Sequence, residues 1–192
     1  MYAIFSACLL FLFTFPLATI AQIQPEFTSR DWHPHKAIWR TGTSHGISYL
    51  HLTRGVMDLP SADLRNGLVS VDFDAHERGA FLLHLHKRHQ LSHQALRVET
   101  GDETWTLALE SYRLGRLRRA QTVTLSVVNP QRRWHHLRVA LRNELLVVYL
   151  DDMSHPAWII AELTWEPDAS ALALEVPMEK RNPVDFARFE YI

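Results

Sequence analysis

The chain has 192 residues, a length that suits one domain. Apolar residues make up 47% of it, which is enough for a packed core and too much for a disordered chain. The net charge of -1 and the pI near 6.9 give no field that would attract nucleic acid or an anionic membrane, so neither is expected as a partner.

The N-terminal segment has the composition of an export signal. No charged side chain precedes Glu26, and most of this stretch is densely apolar. Small residues at Thr19 and Ala21 fit the cleavage rule of signal peptides. We therefore expect residues 1–21 to be a signal peptide and the mature chain to begin at Gln22. This predicts a secreted or periplasmic protein with no stable membrane span after cleavage.

The alternative for this segment is an uncleaved N-terminal anchor, since about 20 apolar residues can span a bilayer. Pro16 would break such a helix near its middle. Cys8, the only cysteine, lies inside the apolar run, so the mature chain has no disulfide, no thiol nucleophile and no thiolate ligand for zinc. The absence of disulfides favours a bacterial exported protein that is held together by core packing alone.

A polar lead-in over residues 22–45 is followed by a domain over residues 46–192 in which short strand-like runs recur. In the clearest run, Val69, Val71 and Phe73 alternate with polar residues, the period of two expected of a half-buried strand. The predicted strands are 47–53, 67–75, 80–88, 94–100, 104–110, 121–128, 134–142, 145–150, 158–165, 171–176 and 185–192.

One segment between these runs has helical spacing. Leu114 and Leu117 lie three residues apart, so a short helix is predicted within residues 110–121. No long helix and no internal repeat is predicted elsewhere. Many short strands separated by turn residues predict an all-β fold, a two-sheet antiparallel β-sandwich.

Three passages carry a resemblance to a known superfamily. The first is RGVMDLP at residues 54–60, which leads into NGLVSVDF at 66–73. The second is WHHLRV at 134–139 followed by LVVYLDD at 146–152, and the third is DFARFEY at 185–191. Their sequence and order resemble concanavalin A-like domains, and the second resembles laminin G domains in particular. The resemblance implies a jelly-roll sandwich, with Trp134 at one end of the core.

Within that superfamily the layout is most similar to the 3-keto-disaccharide hydrolase-like domains, which implies action on glycosides. That subfamily carries a phenylalanine-arginine pair on its third strand, where this chain reads FLLH at residues 81–84. No tyrosine precedes Arg97, where the subfamily has a tyrosine-arginine pair. These departures favour binding over catalysis, and no catalytic residue is assigned.

A row of polar residues is predicted to point outward from the sheets and to offer hydrogen bonds to a glycan or other polyol. Histidine, arginine and glutamate side chains suit hydroxyl groups because they supply both donors and acceptors. The predicted ligand-binding residues are His84, His86, Arg97, Glu99, His136 and Arg138.

Metal binding is an alternative for part of this row. His84-x-His86 on a strand would project two imidazoles to one face, and with His136 nearby this could bind zinc or copper. Asp151 and Asp152 could bind calcium, as loop acids do in some laminin G domains, although calcium needs six or more oxygens. No metal or cofactor is assigned, because a polar strand face explains the same residues.

Two further hypotheses stay open. A glycoside hydrolase would require histidine and acid side chains such as His84 and Glu99 to converge in one pocket. A second candidate pair, Asp72 and Asp74, shares a face of its strand but lacks the following glutamate that retaining glucanases have. A protein-binding laminin G-like domain would expose an apolar patch near Trp158 or Trp165. Arginines at 113–119 and 132–133 could contact an anionic glycan, but solvated surface charge explains them equally well.

Overall fold

A computed structural model describes residues 31–60, 66–76, 78–89, 91–130, 133–161, 171–179 and 182–192. The predicted signal peptide and its cleavage site lie outside these residues. The strands are β1 (His33–Ser44), β2 (Ile47–Leu59), β3 (Gly67–Asp74), β4 (Ala80–His89), β5 (Ser92–Glu99), β6 (Thr104–Arg113), β7 (Arg116–Ser126), β8 (His135–Arg142), β9 (Leu145–Leu150), β10 (Trp158–Ile160), β11 (Ala171–Val176) and β12 (Val184–Tyr191). In the described part of the chain no helix is long and apolar enough to cross a membrane.

Strand β2 joins the two layers of the fold. Its first half pairs with β12 and continues through β3, β8 and β9 to β10, which forms the first sheet. Its second half pairs with β11 and continues through β4, β5 and β6 to β7, which forms the second sheet. Strand β1 pairs with β2 along its other edge. The strands β11 and β12 follow each other along β2, and the two sheets separate between them.

Aromatic contacts show that the sheets lie face to face. The ring of Phe73 on β3 lies 4.8 Å from that of Phe81 on β4 and 5.6 Å from that of Trp105 on β6. Four and six strand positions separate these residues along the hydrogen-bonded order. In a flat sheet each position adds about 4.8 Å. The sheet therefore folds over, and the predicted two-sheet sandwich is confirmed.

The alternation in the sequence correctly predicts which side chains fill the space between the sheets. Val69, Val71 and Phe73 of β3 are fully buried in the core, as are Phe81 and Leu83 of β4. The inward residues of β8 are also buried. Because the core is apolar and continuous across both sheets, hydrophobic burial alone accounts for much of the stability of a domain without disulfides.

The short helix predicted within residues 110–121 is wrong. Strands β6 and β7 form a hairpin there, and Leu114 and Gly115 make its turn with φ values of 51° and 73°. Such left-handed pairs suit two-residue hairpin turns because their twist matches that of the strands. The helical spacing of Leu114 and Leu117 misled because both leucines are exposed and lie on no common buried face.

Two further features differ from expectation or extend it. Trp134 does not cap the core; it lies outside, against Tyr49 at 6.2 Å between ring centroids. The neighbouring His135 is buried instead, with its ring 4.4 Å from that of Trp105. The lead-in predicted over residues 22–45 is described only from residue 31, and that part forms β1.

Candidate functional site

The outer face of the second sheet carries a set of polar side chains above three small residues. The register places Ala173, His84, Ala95 and Glu110 side by side on β11, β4, β5 and β6. In the adjacent row, Arg97 is paired with Ala108. Ala95 and Ala173 are fully buried although they face outward, so the long polar side chains cover them.

His84 and Glu175 form the first pair on this face. Nε2 of His84 donates to Oε2 of Glu175 over 2.7 Å, and the histidine is only 1% exposed. Burial acts to raise the pKa of Glu175, but the hydrogen bond from His84 and the charges of His84, His93 and Lys87 outweigh it, so the pKa lies below its usual value. Glu175 is therefore a carboxylate at neutral pH and accepts hydrogen bonds.

Arg97, Glu110 and Tyr112 form a second connected group. Nε of Arg97 donates to Oε1 of Glu110 over 3.1 Å, and the Tyr112 hydroxyl donates to Oε2 of the same carboxylate over 3.1 Å. The Tyr112 ring stacks on His93 with 4.7 Å between centroids. Burial, followed by the charge and the hydrogen bond of Glu110, raises the pKa of the Tyr112 hydroxyl, which therefore keeps its proton.

His84 and Glu175 of the first group, with Arg97 and Tyr112 of the second, line one depression of about 400 Å³. Its floor is the polar face of β4, β5 and β11, and one rim is the segment Pro177–Glu179, where the two sheets separate. Lys87 lies at another edge and forms an ion pair with Asp58 of β2. Lys87 and Arg97 each face a carboxylate, and the exposed Lys36 of β1 adds a third cation to the lining, so the depression presents both donors and acceptors.

One buried atom of this site lacks a partner. Nδ1 of His84 is buried and has no hydrogen-bond partner among the described residues, while Nε2 holds Glu175. An unsatisfied buried polar atom costs about 1–3 kcal/mol, so such atoms are rare in stable domains.

The six predicted ligand-binding residues are not gathered on one face. Of these, His84 and Arg97 lie in the depression. The expectation that His84 and His86 share a face is wrong because a β-bulge separates them: His84 opposes Ala95, whereas His86 opposes Gln94, the adjacent residue of β5. The zinc pair that depends on this geometry is therefore not formed.

Glu99 lies on β5 well away from His84. Its neighbour on β4 is Ala80, whereas that of His84 on β5 is Ala95. Four residues of extended strand amount to about 13 Å. His84 and Glu99 thus do not converge, and the acid that meets His84 is Glu175.

His136 and Arg138 lie on the outer face of the first sheet, away from the depression. Nδ1 of His136 hydrogen-bonds Oδ1 of Asp72 over 2.6 Å, and Arg188 donates to the other oxygen of that carboxylate over 3.0 Å. Asp72 is thus held between a histidine and an arginine. Arg138 is paired with Ser70 and Tyr149 across its neighbouring strands.

The loop acids considered for calcium have local partners. Asp151 accepts a hydrogen bond from the backbone of His136 and contacts Nδ1 of His135 over 2.7 Å. Asp152 contacts Ser154 and His155. Hydrogen bonds from Ser154 and His155 hold the pKa of Asp152 far below its usual value. These contacts give both carboxylates a structural role in the loop after β9.

The residues that could form a protein-binding or anionic-glycan surface lie only partly within the described part of the chain. Trp158 packs against the core, the adjacent Ile159 is 57% exposed, and Trp165 lies outside the described residues. Of the arginines, Arg133 contacts Trp134 through its guanidinium at 5.8 Å from the ring centroid. Arg132 also lies outside the described residues.

Sequence reasoning missed Glu175, Glu110 and Tyr112. The first is the only charged residue of β11, a strand that is otherwise apolar. Strand alternation does place Glu110 on the outward side of β6. Each strand considered separately therefore indicated an outward-facing polar residue. What the sequence does not supply is the register, which brings together residues 91 positions apart in the case of His84 and Glu175.

No protein-family model matches the sequence, and no curated protein matches it. Solved structures share its fold. The carbohydrate-binding module CBM66 from Bacillus subtilis matches with a TM-score of 0.55 and 15% identity, over 83% of this chain and 93% of that one. A family 16 endo-glucanase from Bacteroides ovatus matches with a TM-score of 0.65 and 10% identity, over 88% and 98%. The Bacillus licheniformis β-glucanase matches with a TM-score of 0.55 and 10% identity, over 90% and 98%.

These neighbours define the class of the fold. The chain is a concanavalin A-like jelly roll, as the three sequence passages indicated. At these identities the similarity establishes the fold alone, because one fold carries many unrelated sites. The function has to be argued from the depression itself.

Proposed function

We propose that this protein is an exported carbohydrate-binding β-sandwich, secreted or periplasmic, that holds a neutral glycan in the depression of the second sheet. The observation that carries the proposal is the floor of that depression, where hydrogen bonds preorganise four side chains. His84 is bonded to Glu175, and Arg97 and Tyr112 are both bonded to Glu110 beside the depression. Preorganised polar groups bind hydroxyls well because little side-chain order is lost on binding.

Paired charges favour a neutral sugar over an acidic one. Arg97 already faces Glu110 and lies 3.7 Å from Glu179, and Lys87 faces Asp58. An anionic ligand would compete with these carboxylates, whereas a sugar hydroxyl can accept from a cation and donate to an acid at once. The Tyr112 and His93 rings add an apolar surface suited to the carbon face of a sugar ring.

The chemistry of the acids favours binding over glycoside hydrolysis, the alternative function. Hydrolysis by a carboxyl pair needs one member with a raised pKa to act as the acid. The pKa of Glu175, the acid that meets His84, is instead lowered, so this group would act only as the unprotonated member of such a pair. The neighbouring solved structures include both a carbohydrate-binding module and glycoside hydrolases, so each function has a precedent on this fold.

The proposal is tested by screening the mature protein on a glycan array and measuring the best ligand by calorimetry. Tyr112→Phe removes one hydroxyl from the depression, and Tyr149→Phe removes one from the outer face of the first sheet. We expect a loss of about 3- to 10-fold in affinity for the first variant, the value of one hydrogen bond, and no change for the second.

Absence of binding to any glycan would contradict the proposal. Equal affinity of the Tyr112→Phe variant and the native protein, together with a loss in Tyr149→Phe, would move the site to the first sheet. Release of reducing sugar from the bound glycan would favour the hydrolase alternative instead.

A further inference from the structure

Two histidines and an aspartate converge on the outer face of the first sheet. His51 of β2 and Asp74 of β3 flank Asp185 of β12 as direct cross-strand neighbours. His76, two residues past Asp74, extends from the following turn over the same carboxylate. Three separate segments of the chain thus bring two imidazoles to the carboxylate of Asp185.

The three side chains already bring possible ligand atoms close to one another. Nδ1 of His51 lies 2.6 Å from Oδ1 of Asp185, and Nε2 of His76 lies 3.4 Å from Oδ2. One ligand atom from each of the three residues can be chosen so that all lie within 4.8 Å of one another. In a tetrahedral zinc site with bonds of about 2.0–2.1 Å, neighbouring ligand atoms lie about 3.3 Å apart. Rotation of the imidazole rings is needed to reach that geometry.

Burial gives the carboxylate a reason to hold a cation. The side chain of Asp185 is only 5% exposed, and its contacts here are with the two imidazoles. A buried carboxylate is costly unless it is paired, and a divalent ion supplies more compensation than one shared proton. His76 is 43% exposed, which leaves the group open to solvent on one side.

The turn that carries His76 is held in an unusual conformation. The φ of His76 is 39°, in the left-handed region that few non-glycine residues adopt. Its backbone N–H donates to Oδ1 of Asp74 over 3.0 Å, which fixes the turn. The same carboxylate oxygen lies 3.8 Å from Nδ1 of His76. Metal-bound histidines commonly have such a carboxylate behind the ring.

We propose that His51, His76 and Asp185 bind a divalent transition-metal ion, Zn²⁺ or a similar ion, with water as the remaining ligand. Two imidazoles and one carboxylate suit zinc, copper or nickel, whereas calcium prefers six or more oxygens. The ion would link β2, β12 and the turn after β3 in a domain whose mature chain has no cysteine. This site is on the opposite outer face from the glycan depression and does not depend on it.

The test uses tag-free protein stripped with a chelator and titrated with Zn²⁺ by calorimetry. His76→Asn removes one ligand and keeps a residue that tolerates the left-handed region. His45→Asn is the matched control, because His45 is another exposed histidine with a positive φ of 52°. Circular dichroism and the melting temperature without metal confirm that both variants fold.

We expect one Zn²⁺ per chain for the native protein and a rise in melting temperature on binding. The His76→Asn variant should bind at least about 10-fold more weakly, and the His45→Asn variant should bind normally. The proposal is overturned if the native protein binds no Zn²⁺, if both variants bind like the native protein, or if Ca²⁺ raises the melting temperature and Zn²⁺ does not.

Discussion

Glu175 illustrates how one residue can connect the fold to the site. It is the acidic side chain near the end of β11, between the buried Leu174 and Val176. Its carboxylate accepts a hydrogen bond from His84, whose ring is almost completely buried. The pair therefore stabilises the sheet and also presents an acceptor to the depression.

Glu175→Gln should lower the free energy of unfolding by about 1 kcal/mol near neutral pH, because a charged hydrogen bond is replaced by a neutral one. Since the folded-state pKa of Glu175 lies below its usual value of 4.5, the stabilisation is full above that pH and is lost as the pH falls through the folded pKa. Urea unfolding at several pH values measures this difference, with Glu144→Gln at an exposed turn as the control. If the difference in unfolding free energy between the native protein and Glu175→Gln grew as the pH falls, the lowered pKa of Glu175 would be contradicted.

At the scale of residues, the sequence predicted the face to which a side chain points better than the partner that it contacts. Alternation correctly placed His84 and Arg97 on the outward face of their strands. It failed for His86, because a one-residue bulge in β4 reverses the face and leaves no mark in the sequence. It also could not show that Glu175 rather than Glu99 meets His84, since that depends on the pairing of β11 with β4.

At the scale of elements, β2 decides how the sheets are joined. Gly55 lies where its pairing passes from β12 to β11, with a φ of 94°. Strand β1 passes very close at this point: a Cβ on Gly55 would lie 2.4 Å from the backbone oxygen of Lys36. Only glycine meets both requirements there.

Gly55→Ala should therefore destabilise the protein more than a simple conformational penalty predicts. Gly46→Ala is the control, because Gly46 also has a positive φ, 77°, but has no atom within 4 Å of the added Cβ. We expect a cost of about 1–2 kcal/mol for Gly46→Ala, and about 1–3 kcal/mol more for Gly55→Ala, in denaturant unfolding. Equal costs would show that β1 does not approach β2 as closely as described.

The elements that the sequence missed lack strong local signals. Strand β1 is mostly exposed and pairs with β2 alone, so its pattern shows little hydrophobic alternation. The turn at Leu114 has a non-glycine residue in the left-handed region, which tertiary context imposes and which sequence propensity disfavours. The buried strands β3 and β8, by contrast, were predicted closely because both of their neighbours and the opposite sheet enforce the period of two.

At the scale of the whole molecule, the stability depends on contacts between the sheets. Phe73 is fully buried and contacts Phe81 and Trp105 across the sandwich, and His135 on the neighbouring strand of its own sheet. The chain has a single cysteine, so no disulfide within it supplements these contacts. Packing between the layers must therefore supply the stability that disulfides supply in many exported domains.

Phe73→Ala should lower the free energy of unfolding by about 3–5 kcal/mol, the usual cost of emptying a buried aromatic site. Val128→Ala, at a residue that is 84% exposed, should change it by less than about 0.5 kcal/mol. Chemical denaturation followed by tryptophan fluorescence measures both. A cost below about 1 kcal/mol for Phe73→Ala would be inconsistent with two layers packed through this ring.

The central claim is that a glycan binds in the depression of the second sheet. The most direct measurement is two-dimensional NMR of the labelled mature protein during titration with the best array ligand. The account predicts the largest shift changes at His84, Arg97, Tyr112 and Glu175, all of which line the depression. Changes confined to His136 and Arg138 on the first sheet, or no changes at saturating glycan, would contradict it.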